Sequence, residues 1–328
     1  MAELAGLAVS GDRNGACDRG VRRLARTPPD GTDARGVDDQ VGRRSDPAIK
    51  RSNIKQALSH PAYTLTKGDV RDPVALRKCF EGRSIDVVAH LAARAGVRPS
   101  IANPELYYDV NVMGTLQLLE AMRTSGVRKL VFASSSSVYG NNPHVPFSES
   151  DNVDNPISPY AASKKAGELL CHTYSHLHKF DVYCLRFFTV FGPRQRPDMA
   201  IHRFLQQIMD DQDITLYGDG SSKRDYTYIT DIVNGVERAI ARARGYEIIN
   251  LGESRITSLL DLISLIEAEL GKKAKIEWRP MQPGDVGTTY ADIAKAQRLL
   301  DYVPKCAVSG GLKAMHGWFS EGLSRGQK

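Results

Sequence analysis

From about residue 60 the chain alternates short apolar, strand-like runs with amphipathic, helix-like ones. This alternation constrains the fold more than any other feature. Strands that recur with a helix between them pair in parallel, in a sheet covered on both faces. Ala62–Val70 reads as a strand running through Gly68-Asp69, and Ile85–Ala93 is an apolar run of the kind buried on both sides. Glu105–Ser125 has helical periodicity and stops at Gly126, a C′ glycine. Leu130–Ala133 is the next buried strand and runs straight into four serines, Ser134 to Ser137. Ser158-Pro159 supplies an N-cap and a first-position proline for a helix reaching about His178, and Val182–Phe188 is another strand. Beyond Gly192-Pro193 the pattern is mixed: a loop rich in Arg and Pro, a helix near Ile201–Asp210 and a turn at Gly218-Asp219-Gly220. A late strand at Ile248–Leu251 would return to the main sheet, and an amphipathic helix over Ser258–Leu270 is closed by Gly271.

The first fifty residues break this pattern. They hold eight Arg, seven Asp and seven Gly, no aromatic residue and a single Ile at Ile49. A doubly wound domain should open with a β-branched strand, a glycine turn and an apolar helix. Here Leu4–Val9 is a weak strand, and Arg22 to Pro29 cannot form a long buried helix, so the segment reads as solvated or disordered chain.

Several function classes drop out early. No stretch of 18 apolar residues is present to span a membrane, and the start has no apolar secretory run, which points to the cytoplasm. Five scattered cysteines without a C-x-x-C fit reduced thiols better than disulfides or a zinc site. The net charge of +6 comes from basic residues interleaved with acidic ones, unlike the clustered stripe of a nucleic-acid binder. A phosphorylated, anionic small molecule accounts better for several arginines near a pocket. His172 and His176 stand four apart with His178 close by, but Thr173 occupies the place where a zincin carries its glutamate, so no metal is expected.

Tyr160 and Lys164 stand four apart on the helix expected after Ser158, so both project from one face. A lysine ammonium beside a phenol favours the phenolate and lowers its reference pKa of about 10, giving a base usable near neutral pH. The pair follows the serine-ended strand by about 25 residues, where a hydroxyl partner is needed.

Four ordered segments, Phe132–Gly140 (FASSSSVYG), Ser158–Lys164 (SPYAASK), Arg186–Pro193 (RFFTVFGP) and Arg224–Ile232 (RDYTYITDI), resemble the extended short-chain dehydrogenase/reductase family. Within it the match is nearest to the UDP-glucuronate 4-epimerases and UDP-glucose 4-epimerases, and covers the chain from about Asp46 onward. The resemblance implies a Rossmann-type α/β fold that binds NAD, with a smaller C-terminal lobe for the UDP-sugar. Residues 46–190 would be the NAD-binding domain and 191–328 mainly the sugar-nucleotide lobe, with 224–252 partly returning to the first. Tyr160 would be the base, Lys164 would tune it and hold the nicotinamide ribose, and Ser135 would share the sugar O4 proton. Asp69 and Val70 would contact adenine. Leu91, Ala92 and Ala93 would line the ribose and pyrophosphate, with Asn111 and Phe188 also near the cofactor. Arg224 would hold the nucleotide pyrophosphate, and Arg98 falls among the substrate-binding positions. A homodimer through the helices at 105–125 and 158–178 is the family's arrangement.

These relatives share a first step, in which Tyr160 would take the O4 proton as the C4 hydride leaves for NAD. Similar dehydratases carry Asp-Glu, and decarboxylases tend to carry a Glu, where this chain has Ser136 and Ser137. Without a carboxyl group for a second step, the ketone would turn over and regain its hydride on the other face, which is epimerisation. Thr189 stands where UDP-glucose epimerases usually carry Asn, and Thr189 followed by Arg196–Ala200 (RPDMA) is similar to the glucuronate enzymes, as is Gln282 in QPGDV. A 4-keto glucuronate is a β-keto acid, so a bidentate guanidinium clamp on its carboxylate, Arg196 with Arg194 as rival, would both bind it and suppress loss of CO2. The hydroxyls of Thr189, Ser136 and Ser137 would assist.

The family's T-G-x-x-G-x-x-G cofactor signature is absent. Gly11, Gly15 and Gly20 are spaced four and five apart with charged residues between, and do not replace it. The text turns family-like within a few residues at Asp46, as a shifted reading frame or a join to unrelated coding sequence would leave it. A UDP-glucose 4-epimerase, or a sugar-nucleotide-binding protein that has lost its cofactor grip, are the alternatives, with a dehydratase or decarboxylase more distant.

Overall fold

The computed structural model describes residues 6–9, 21–24, 53–281 and 286–324. Its centre is a seven-stranded sheet. In chain order the strands are β1 (Gly6–Val9), β2 (Val21–Leu24), β3 (Leu65–Thr66), β4 (Val87–His90), β5 (Lys129–Ser135), β6 (Asp181–Phe187) and, after four short strands, β11 (Tyr246–Leu251). The four between are β7 (Thr189–Phe191), β8 (Ile214–Tyr217), β9 (Lys223–Arg224) and β10 (Tyr226–Tyr228), and β12 (Thr257–Ser258) and β13 (Ile276–Arg279) follow. The sheet runs β11-β6-β5-β4-β1-β2-β3, the strand order of a doubly wound α/β fold.

Strands β4, β5, β6 and β11 pair in parallel, as their apolar runs predict, and β2 pairs in parallel with β3. Strand β1 departs from this arrangement, lying antiparallel to both β2 and β4. The segment that reads as solvated chain thus contributes two four-residue strands. Gly6 sits opposite His90 and Val9 opposite Val87, so the chain leaves β1 at the edge where β4 begins. That is the end of the sheet opposite Ser135. Gly11, Gly15 and Gly20 lie outside the described residues.

The principal helices are α1 (Pro73–Phe80), α2 (Gly114–Thr124), α3 (Pro159–His178), α4 (Ala200–Met209), α5 (Ile229–Arg242), α6 (Leu259–Leu270) and α7 (Val308–Ser324). Ser158 caps α3 by accepting from Ala161 N at 3.2 Å, with Pro159 following, as the sequence predicts. Ser258 caps α6 in the same way, and Gly271 closes it with φ of +64°.

The helix expected over 105–125 is interrupted. A single turn at Pro104–Tyr107 passes into a π-helical stretch at Tyr108–Met113 before α2 begins. The cause lies in packing. A Cβ on Gly114 would stand 2.4 Å from Val70 Cγ1, so α2 lies flush on β3's end. The wider turn then aims Asn111 and Thr115 inward, where both are buried.

Alternate residues of β5 feed two cores, one on each face. Leu130 and Phe132 join α1, α2 and α3, while Val131 joins Tyr183, Leu185 and the inner side of α5. A third core gathers α4, β8, α6 and α7 around Phe191 and Tyr226. No helix among the described residues is long and apolar enough to cross a membrane.

Candidate active site

The parallel strands β4, β5 and β6 end on one crest, and the side chains singled out in the sequence collect there. At the end of β5, Ser135 starts a 3₁₀ turn, Ser136–Tyr139, and its Oγ accepts from Ser137 N at 3.2 Å. It also donates to Ser137 Oγ at 3.1 Å, so the two hydroxyls are held as a unit. Ser136 and Ser137 are half-buried. A cavity of about 280 Å³ opens on the far side of this turn, between Gly140–Asn142 and Val286–Thr288.

Tyr160 lies in the first turn of α3, half-buried. Its phenol is pushed upward by burial and drawn back by a hydrogen bond with Ser135 and by the charge of Arg196. Its ring meets Tyr107 edge-on at 6.2 Å, and its backbone N–H donates to Ser100 Oγ at 3.1 Å. The phenol side chain and its backbone are therefore fixed at three points. Ser100 was not read from the sequence; nothing in its spacing marks it.

Lys164 is turned to the sheet. Its ammonium donates to Ala133 O at 2.7 Å and lies 5.3 Å from the centre of the Phe132 ring. Burial pulls it down to about 8, with Cys171 and Glu168 resisting. The influences on the Tyr160 phenol thus come from Ser135 and Arg196, where the sequence suggested Lys164. An ammonium has three N–H groups, and here one acceptor is in place in a site that is 4% exposed. The two protons left over match what a ribose diol accepts, so the residues present fit the nicotinamide riboside end of NAD.

Asn111 is buried and fully engaged. Its Oδ1 accepts from Arg94 N at 2.7 Å, and its Nδ2 donates to Arg94 O at 3.0 Å and to Ser163 Oγ at 2.9 Å. It fastens the loop after β4 to α3. Ala92 is buried in that loop, Ala93 half-buried and Leu91 exposed. Asp69 is bound by the Arg71 guanidinium at 2.8 Å, and Arg71 also pairs with Asp109. Val70 is locked into the core against Gly114. Phe188 donates its backbone N–H to Leu251 O, and its ring packs with Tyr139 and Phe147 inside the core, so what reaches the crest there is backbone.

On the opposite lip, Thr189 opens β7, half-buried, with its N–H on Asp225 O at 3.1 Å. Arg196 pairs with Asp198 through Nη2 at 3.1 Å, and Nη2 also meets Met199 Sδ. Both contacts fall on one nitrogen, which leaves Nε and Nη1 without a partner among the described residues. Arg194 instead donates to Asn53 O at 3.5 Å, which separates the two rivals. Arg224 Nη1 donates to Lys223 O and to Gly287 O at 3.1 Å. Arg98 stacks over the Tyr217 ring at 4.8 Å, joining the helical turn after β4 to the end of β8. Gln282 lies outside the described residues.

One charged group beneath the crest was missed. Glu168, on α3, accepts from Arg186 Nε at 2.8 Å, from Arg186 Nη2 at 2.9 Å and from Ser134 Oγ at 2.6 Å, with both ions 1% exposed. A signal existed: an arginine inside an apolar strand run needs a buried carboxylate. Buried His90 bonds Thr115 Oγ1 at 3.0 Å, and since Thr115 gives its own proton to Asn111 O, His90 is the donor through Nε2. No group of three or more His, Cys, Asp or Glu residues able to hold a metal occurs among the described residues.

Comparison with known proteins fits this geometry. The model of the NAD dependent epimerase/dehydratase family matches residues 31–252. The UDP-glucuronate 4-epimerase of Thermodesulfobacterium geofontis is 44% identical over 287 residues, 87% of this chain and 88% of that one. The Bacillus cereus UDP-glucuronic acid 4-epimerase, solved with UDP-glucuronic acid and NAD, superposes with a TM-score of 0.79 at 38% identity, over 84% of this chain and 87% of that one. DesIV, a dTDP-glucose 4,6-dehydratase of Streptomyces venezuelae solved with NAD, gives a TM-score of 0.79 at 29% identity, over 84% and 85%. From its strand order, its Ser135–Tyr160 pair and these likenesses, the chain belongs to the NAD dependent epimerase/dehydratase family.

Proposed function

We propose that this protein is an NAD-dependent UDP-sugar 4-epimerase acting on UDP-glucuronate to give UDP-galacturonate. The observation that carries the reading is the setting of the Tyr160 phenol, which is hydrogen-bonded to Ser135 and lies within the field of the Arg196 guanidinium. Ser135 and Tyr160 hold the sugar O4 proton between them. The Arg196 charge favours the phenolate form that removes this proton and, through Nε and Nη1, takes the sugar carboxylate. Clamping that carboxylate keeps it out of the perpendicular geometry that releases CO2. Bound NAD supplies the acceptor and donor for the C4 hydride. Lys164 would hold its nicotinamide ribose, Ala92 and Ala93 would flank it, and Asp69, with Arg71, stands at the adenine end. Thr189, Ser136 and Ser137 give the hydroxyls around the hexuronate. Arg224 and Arg98 supply positive charge for the diphosphate side, with Gln282 as a further substrate contact.

Residues 46–190 form the cofactor-binding domain in this reading, and 191–328 mainly the sugar-nucleotide lobe. The pairing of β11 with β6 supports assigning part of 224–252 to the first. A homodimer through α3 and the 105–125 segment is supported by apolar side chains left exposed on both: Leu169 and Leu177, and Tyr108 and Met113. The free thiols of Cys79, Cys171, Cys184 and Cys306 support a cytoplasmic setting.

The reversed direction of β1 favours a second reading, a sugar-nucleotide-binding chain with a weakened cofactor grip. One experiment separates them. The purified protein is denatured and released NAD is assayed, then native protein is incubated with NAD and either UDP-glucuronate or UDP-glucose. Close to one NAD per chain and formation of UDP-galacturonate is the expected result. Turnover of UDP-glucose alone would remove the carboxylate role from Arg196, CO2 release would indicate decarboxylation, and no bound or bindable NAD would establish the second reading.

A further inference from the structure

The catalytic helix carries a buried charge that the proposed reaction does not use. Lys164 and Glu168 stand one turn apart on α3 and reach consecutive residues of β5, Lys164 bonding Ala133 O and Glu168 accepting from Ser134 Oγ. Glu168 is simultaneously forked by Arg186 from β6. Between them, Gly167 lets the helix approach so closely that a Cβ would stand 2.4 Å from Phe132 Cζ. Helix α3 is thus pinned to two strands at the turn directly after Lys164.

We propose that Glu168 is a positioning residue for Lys164: clamped by Arg186 and Ser134, it seats on β5 the stretch of α3 that carries the lysine. The inference rests on the epimerase reading of the site. It follows from which groups surround the ammonium. On its own helix these are Cys171 and Glu168, and on β4, His90; Arg186 and Cys184, from β6, act on Glu168 in turn. His90 is neutral, burial having pushed it down to about 3, and burial pushes the Cys184 thiol up. Against burial, Cys171 and then Glu168 raise Lys164, and of the two Glu168 is the one tied to the strands by Arg186 and Ser134. With Lys164 held charged, its free N–H groups remain donors for a ribose diol.

The test uses the full-length chain labelled with [ε-13C]lysine, with the Lys164 signal assigned by its loss in Lys164→Met. Replacing Glu168→Gln is expected to move the Lys164 titration midpoint down by about one unit, a tenfold shift in its protonation equilibrium. The alkaline limb of the kcat profile should move with it. Because Glu168→Gln leaves Arg186 buried without its ion partner, the double replacement Glu168→Met with Arg186→Met is measured alongside it; it removes both charges while filling the space. There the opposite charges leave together, so a smaller downward shift is expected. An unchanged Lys164 midpoint in folded Glu168→Gln would overturn the proposal. The titration is read without cofactor or substrate, so it stands apart from any failure of the protein to turn over UDP-glucuronate.

Discussion

The two halves of the central sheet are built by different means. From β4 to β11 every strand is parallel and its neighbours interlock: Leu130, Val131, Val182 and Leu185 are wholly buried, and the polar groups that intrude, Glu168 and Arg186, are matched to each other. On the other side of β4, β1 runs against both neighbours, and β3 is two residues long with half-buried side chains. The groups of the candidate site lie away from β1: Ser135, Tyr160 and Lys164 take their positions from β5 and α3, and Arg196 from the loop after β7, outside the central sheet. A family site can therefore retain its chemical end while the strand that normally delivers the pyrophosphate turn runs the other way.

The largest effect that would sharpen this contrast is chemical. Replacing Tyr160→Phe removes only the hydroxyl that meets Ser135; the edge contact with Tyr107 and the backbone bond to Ser100 survive. Loss of a positioned acid–base group costs about 10²- to 10⁴-fold. The expected result is a fall of that size in kcat for UDP-glucuronate with an unchanged melting temperature. Comparable loss of stability would mean that the phenol is a packing group, and that the parallel half of the sheet does not by itself make a site.

What the sequence disclosed follows the same division. The strands at Val87–His90, Lys129–Ser135 and Asp181–Phe187 announce themselves as short apolar runs because both faces are covered, and Ser158-Pro159 announces α3 because capping is local chemistry. Tyr160, Lys164 and Ser135 could be named from spacing and family motif. The π-helical turn at Tyr108–Met113 could not, since it arises from Gly114 closing on Val70 more than forty residues away in the chain. Ser100 acts through a tertiary contact that no local pattern encodes, and Glu168 is signalled only indirectly, by the arginine at 186 inside an apolar strand run. Strand β1 falls within the weak strand read at Leu4–Val9, whereas β2 was hidden for another reason: a four-residue strand among Arg, Asp and Gly has too few apolar positions to show a period.

Stability offers the second test. Leu130 on β5 is wholly buried in the core shared with α1, α2 and α3, whereas Leu65 on β3 is half-buried. Leu130→Ala removes packed methyl groups and leaves a cavity that its neighbours cannot fill, which costs about 2–5 kcal/mol. Leu65→Ala should cost about 1 kcal/mol or less, because part of the side chain already faces water. Urea unfolding of both variants measures the difference. Equal losses would show that the β1–β3 side is as tightly cooperative as the catalytic side, and the division drawn above would fail.

The smallest effect concerns the margin of the ordered half, where β11 ends. Glu253 is 6% exposed, its Oε2 has no hydrogen-bond partner among the described residues, and its other oxygen is 4.0 Å from the largely exposed Arg255. Burial pushes the Glu253 carboxyl up to about 7. Its neighbour Asp225 is pushed up to about 6 by burial, although it accepts from the backbone N–H groups of Glu253, Ser254 and Ala291. Glu168, by contrast, has a guanidinium, and Glu253 has no equivalent. A carboxyl raised in the folded state costs stability once it ionises: the protein is more stable below the ordinary glutamate value of 4.5, and that margin is lost as pH rises through about 7. Glu253→Gln keeps the shape and cannot ionise. It should match the natural protein near pH 4.5 and exceed it by on the order of 1–3 kcal/mol at pH 8. Thermal melts of the two proteins across that window decide the matter. A variant less stable than the parent at pH 8 would mean that the Glu253 carboxylate has found a partner at the end of β11, and that the parallel half matches its buried charges there as it does at Glu168 and Arg186.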